Sequence, residues 1–77
     1  KEIEILMKEN ADVKICIQDS IDTGNCRPGT EEFIREHEIK VSEEGCCLIQ
    51  DLLENKNFKK MVERFDFRKV IIHKLNN

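Results

Sequence analysis

The chain has 77 residues, 39% of them apolar and 38% charged, with four Phe and neither Trp nor Tyr. A chain of this length buries only about 60% of its unfolded surface. Its core must come mainly from Ile, Leu and Val, which leaves little room for a deep pocket and makes an enzyme with its own substrate cavity unexpected.

No run of about 20 apolar residues and no signal-peptide pattern is found, so no membrane partner is expected. The chain starts with Lys1 rather than Met, and a single small domain (1–77) cut from a larger protein is the expectation. The net charge of −3 conceals a split. Residues 1–54 hold six Lys/Arg against fourteen Asp/Glu, whereas 55–77 hold seven against two. Such a division means either an acidic surface packed near a basic one or a basic segment meant for a polyanion, and the first is the simpler reading.

Residues 1–9 (K-E-I-E-I-L-M-K-E) fit a helix, with Ile3, Leu6 and Met7 as its apolar stripe and Asn10 at its end. Val13, Ile15 and Ile17 then alternate with Lys14, Cys16 and Gln18, the best strand signal in the chain. Its partner is expected in 2–7 or in Val70-Ile71-Ile72, unless 13–18 is an extended connection between helices.

The stretch Asp19–Phe33 (D-S-I-D-T-G-N-C-R-P-G-T-E-E-F) contains two of the three glycines and the only proline. Asp19 or Ser20 suits the cap of a single helical turn ending at Gly24. Pro28-Gly29 suits a type II turn, and Thr30 the cap of a helix over 30–38 with Glu31 and Glu32 in its first turn. An ordered, Gly/Pro-framed loop at 19–33 follows, with Asp19, Asp22, Asn25, Cys26 and Arg27 as its candidate contact residues.

Ser42 reads as the next N-cap. Leu48, Ile49, Leu52 and Leu53 form the strongest helical stripe, within a helix over 43–54. The pattern resumes at Phe58, Met61, Val62 and Phe65, is interrupted at Asp66 and continues out of phase with Phe67, Val70, Ile71 and Leu75. That is two short helices or one bent one. No internal repeat is apparent. The expected fold is mainly α, a small domain of four to five short helices with one extended segment or short strand at 13–18; a compact α+β arrangement is the alternative. Ile3, Leu6, Ile15, Ile17, Ile34, Leu48, Ile49, Leu52, Phe58, Met61, Phe65, Val70 and Ile71 are among the expected core residues.

The cysteines Cys16, Cys26, Cys46 and Cys47 lack the dense spacing of secreted staple folds, so they read as reduced thiols in a cytoplasmic protein. With Cys26, His37 and the Cys46-Cys47 pair spread too widely for C-x(2–4)-C knuckles, no metal and no other cofactor is expected. Cys26 beside Arg27 is a candidate reactive thiol, but His37 lies too far down the following helix to serve as its base.

Asp22-Thr23-Gly24 resembles the signature of the aspartic proteases, which implies one of two carboxylates sharing a proton. The resemblance covers three residues, and the family's later hydrophobic-hydrophobic-glycine element is missing. Two functions are therefore expected. The first is a non-catalytic intracellular interaction or accessory module that contacts another protein or another domain of its parent chain through 19–33. The alternative is nucleic-acid binding through 56–74, with Lys56, Lys59, Lys60, Arg64 and Arg68 on the phosphates. The spacing of 30–38 and 43–54 matches helix-turn-helix, although the second helix carries only acidic charge.

Overall fold

A computed structural model of the protein describes residues 2–76. Helix α1 (Glu2–Glu9) has acidic residues in its first turn and Lys8 in its last, matching the helix dipole. Ile3 and Met7, one turn apart, are its buried face. Asn10 closes it, donating through Nδ2 to Leu6 O at 2.8 Å.

After the turn at Ala11-Asp12, strand β1 (Lys14–Cys16) pairs antiparallel with β2 (Cys46–Leu48), matching Ile15 with Cys47 and Cys16 with Cys46. The partner is thus neither 2–7 nor 70–72. It lies inside the segment whose Leu48/Ile49/Leu52/Leu53 stripe predicts one long helix. The chain reverses at Ser42–Gly45, where Gly45 takes φ +80° and its N–H donates to Ser42 O at 2.8 Å. Three strand residues follow before helix α4 (Ile49–Leu53) begins. The stripe is therefore split. Ile49 and Leu52 are buried on α4, and Leu48 is exposed on β2.

Both strands run directly into helices, β1 into α2 (Ile17–Asp22) and β2 into α4, and both helices open with Ile-Gln-Asp. Ile17 N–H donates to Gly45 O, and Ile49 N–H donates to Val13 O, both at 2.9 Å. Gln18 reaches Asp22 as Gln50 reaches Glu54, at 2.9 and 2.7 Å. These paired bonds describe a local two-fold axis through the Ile15–Cys47 pair. The two strand-to-helix units are alike in local geometry and share the Ile-Gln-Asp opening. The outward edge of each strand is partly closed: Asp19 takes the N–H of Cys16, and Ser42 engages both N–H and C=O of Cys46.

Helix α3 (Arg27–Glu36) starts three residues before the predicted cap. Cys26 is the N-cap, its Sγ accepting from Gly29 N–H at 3.3 Å. Pro28 sits in the first turn, where a missing N–H costs nothing. The stretch 19–33 is thus two helices joined by a tight connection at Thr23–Cys26, not one long loop. Gly24, at φ +100°, makes that turn.

Helix α5 (Phe58–Met61) and helix α6 (Phe65–Leu75) complete the chain. The residues of 58–75 therefore form two short helices. The phase shift at Asp66 buries Phe67 and leaves Phe65 76% exposed, contrary to expectation.

The fold is mainly α, with six helices and one two-stranded sheet among the described residues. Its core joins Ile3 and Met7 of α1 to Ile15, Ile49, Leu52, Phe58, Met61, Phe67, Val70 and Ile71. Each fully buried aliphatic side chain contributes about 1.5–3 kcal/mol. Helix α1 packs on α4 and α6, whereas α3 makes its main contact with α2. No residue of α3 is fully buried. Its partly exposed inner face lines a groove beside the strand pair. No helix of the described residues is long and apolar enough to cross a membrane.

Candidate functional site

Between α3 and the β1–β2 pair lies an open groove of about 590 Å³. Ile15, Cys47, Leu52, Phe67 and Val70 form its floor; Ile17, Phe33, Ile34, Ile39 and Val41 form its apolar walls. Gly24, Asn25, Cys26, Gly29 and Thr30 supply a polar rim, with Glu32, Glu36, Arg64 and Asp66 around it. The groove is open to solvent and is not a deep pocket of the kind the composition disfavours. A groove of this size needs no surplus core volume, only one amphipathic helix held away from the sheet.

The rim is fixed by hydrogen bonds that the stretch 19–33 encodes. Ser20 is buried, its hydroxyl 2.7 Å from that of Thr30, which ties α2 to α3. Asn25 Nδ2 donates to Ser20 Oγ at 3.0 Å and to Asp66 O at 3.2 Å, anchoring the connection on α6. Asp19 is mainly structural: Oδ2 accepts from Cys16 N–H at 2.7 Å, and Oδ1 accepts from Lys74 Nζ at 3.2 Å. Asp22 is exposed and accepts from Gln18; Arg27 is exposed and 3.9 Å from Glu31. Of the five predicted contact residues, Asn25 and Cys26 line the groove, whereas Asp19, Asp22 and Arg27 do not. No local sequence pattern marks the apolar lining, because its residues are spread from 15 to 70 and only the fold gathers them.

At the C-terminal end of α3, His37 is buried, its Nδ1 2.9 Å from Phe33 O and its ring 4.2 Å from that of Phe33. Asn55 and Asn57 both donate to His37 O. Glu38 follows at φ +56°, ending α3. Phe33 also stacks on Phe67 and lies under the Arg64 guanidinium, so the groove wall is braced from both ends.

The cysteines are not four reduced thiols. Cys16 and Cys46, opposed in the strand register, form a disulfide. The step from reduced thiols to a cytoplasmic protein loses its premise. Cys26 is free and exposed at the rim; Cys47 is free and half-buried. Burial, with Asp51 adding negative charge, pushes the Cys47 thiol from 9.0 to about 11, so it stays protonated at neutral pH. No group of three or more His, Cys, Asp or Glu side chains fit to hold a metal comes together among the described residues.

Asp22-Thr23-Gly24 closes helix α2 instead of forming a loop between strands. The resemblance to the aspartic proteases does not extend into the surrounding fold.

The basic segment is not one helical face. Lys56 precedes α5 and Arg64 follows it, so the i, i+4, i+8 stripe through Lys60 has no single helix beneath it. Lys56 pairs with Glu38 at 3.1 Å, and Arg64 reaches Asp66 at 3.0 Å and Glu36 at 3.9 Å. Arg68 donates to Val62 O, and Lys74 pairs with Asp19. Much of the charge split is therefore compensated within the fold; Lys59 and Lys60 stay exposed on α5. The predicted helix-turn-helix does not form either, since strand β2 occupies the start of its second helix. No protein-family model, curated protein or solved structure matches the chain.

Proposed function

We propose that the chain is a non-catalytic protein-interaction module that holds a segment of another protein, or of another domain of its parent chain, in the groove between α3 and the strand pair. The observation that carries this reading is the groove itself, apolar in floor and walls and bounded by a rim whose backbone is already tied down. A pre-organised apolar cleft with a few polar groups at its edge is what a bound side chain needs, because little ordering cost remains to be met on binding.

The test is selection from a displayed library of random eight-residue peptides, followed by binding of the enriched sequences to variants. Ile34→Glu and Val41→Glu place charge on the groove walls at half-buried or exposed positions, so the core is spared. Each is expected to weaken binding at least tenfold, with the melting temperature little changed. Lys59→Glu plus Lys60→Glu is expected to leave peptide binding intact. Binding that survives both wall substitutions refutes the proposal. Steeply salt-dependent oligonucleotide binding lost in the lysine variant moves the function to nucleic acid.

A further inference from the structure

The outward side of α6 is built unlike a solvated face. Phe65 is 76% and Ile72 43% exposed. Between them stand Arg68 and Lys69, both half-buried, with Lys69 Nζ 5.8 Å from the centre of the Phe65 ring. Phe65, Arg68, Lys69 and Ile72 occupy i, i+3, i+4 and i+7, the four positions that frame the hole a facing helix fills with one apolar side chain. Phe65 and Ile72 lie about 10.5 Å apart along the helix axis, and the aliphatic stems of Arg68 and Lys69 form the sides of the hole. None of the four lines the groove. Neither cation has an ion-pair partner among the described residues. Residues 67–77 contain no Asp or Glu to offset them.

Helix α1 carries the counterpart. Its Ile5 is 56% exposed, with Glu2 and Glu9 about one turn away on the same face. Both carboxylates are exposed and have no ion-pair partner among the described residues, whereas the nearby Lys8 is taken by Glu4 at 3.3 Å. We infer that this face of α6 docks α1 of a second copy of the chain, Ile5 entering the hole and Glu2 and Glu9 facing Arg68 and Lys69. The contact is independent of the groove. A discrete acidic helix suits the face better than a polyanion, because two cations on a chain of net charge −3 attract nucleic acid or an anionic bilayer poorly. A contact of one knob and its flanks is small, so the association is weak and transient. The apolar knob supplies the contact, and the charges select its register.

The experiment is sedimentation velocity on the purified chain from micromolar to millimolar concentration at low salt. The sedimentation coefficient is expected to rise with concentration. Phe65→Ser and Ile5→Ser should each weaken self-association about tenfold, and Lys69→Glu about threefold. Both apolar positions are exposed, and matching circular dichroism and melting curves establish that the variants are folded. Lys69→Glu combined with Glu2→Lys/Glu9→Lys should recover most of the lost affinity, because the charges are exchanged while the knob is kept.

A sedimentation coefficient that stays at the monomer value over the whole series overturns the inference. So does association that survives Phe65→Ser, which takes the contact off α6, or Ile5→Ser, which puts another segment in the hole. A charge exchange that associates no better than Lys69→Glu alone overturns the matching of α1 with α6. Oligonucleotide or anionic-vesicle binding that Lys69→Glu abolishes, without self-association, assigns the face to a polyanion and also overturns the inference.

Discussion

Asp19 is the residue whose removal tests most directly how the groove is built. It occupies the third position of α2 and faces two ways. Oδ2 accepts the Cys16 N–H at 2.7 Å, fixing the strand-to-helix corner beside the groove wall, and Oδ1 accepts from Lys74 on α6 at 3.2 Å. Side-chain exposures of 33% for Lys74 and 17% for Asp19 place this ion pair between the surface and buried regimes. A hydrogen bond to a charged acceptor contributes about 1.5 kcal/mol, and a partly screened pair of this kind about 0.5–1 kcal/mol. Asp19→Ala is therefore expected to cost about 2 kcal/mol, a large share of the stability of so small a domain. The melting temperature should fall by about 8–16 °C.

Urea titration gives the free energy, and Asp22→Ala supplies the control. Asp22 is exposed and holds only Gln18, so its loss should stay within about 0.5 kcal/mol. A double-mutant cycle of Asp19→Ala with Lys74→Ala should return a coupling of about 0.5–1 kcal/mol, leaving the rest to the helix corner. If Asp19→Ala is no worse than Asp22→Ala, the corner does not depend on that carboxylate.

The disulfide spans 30 residues, for which the chain-entropy argument gives about 3–4 kcal/mol. Cys16→Ser/Cys46→Ser should lower stability by that order, and the native chain should titrate as two free thiols, Cys26 reacting first; four accessible thiols without reductant would contradict the pairing. Because the Cys47 thiol is raised from 9.0 to about 11, the unfolded chain ionises first. Stability is then unaffected below pH 9 and declines between pH 9 and about 11, a loss that Cys47→Ala should remove from the alkaline urea curves. Gly45→Ala should cost about 2 kcal/mol or more, since φ is +80° and a Cβ would stand 2.8 Å from Ile17 Cδ1; in the Ile17→Val background the penalty should shrink. Glu38→Gly should stabilise by up to about 1 kcal/mol by relieving φ +56°, as thermal melts would show.

The mainly α character, α1 and the short strand near 13–18 follow from periodicity over windows long enough to discriminate. Segment 46–53 does not, because three strand residues followed by five helical ones mimic one longer helical stripe. What separates them is the Gly45 turn and the pairing with β1, a contact across 30 residues that no local pattern carries. Phe65 and Phe67 show the same limit, since the apolar count near Asp66 is right but the phase follows from where α6 starts. At the site, Asn25 and Cys26 stand out in sequence through turn chemistry. Ile17, Ile34 and Val41 come together in the groove only through the position of α3.

The two-fold arrangement of the strand-to-helix units carries a hazard that the cysteines resolve. Strands related by such an axis are near-equivalent partners, so β1 of one molecule can pair with β1 of another about Ile15, and β2 with β2 about Cys47. In the first pairing Cys16 faces Lys14, and in the second Cys46 faces Leu48. Only β1 against β2 sets Cys16 opposite Cys46. Because the two cysteines sit off the axis, their covalent bond forms when β1 meets β2 and in neither like-with-like pairing, so it selects against β1–β1 and β2–β2 association.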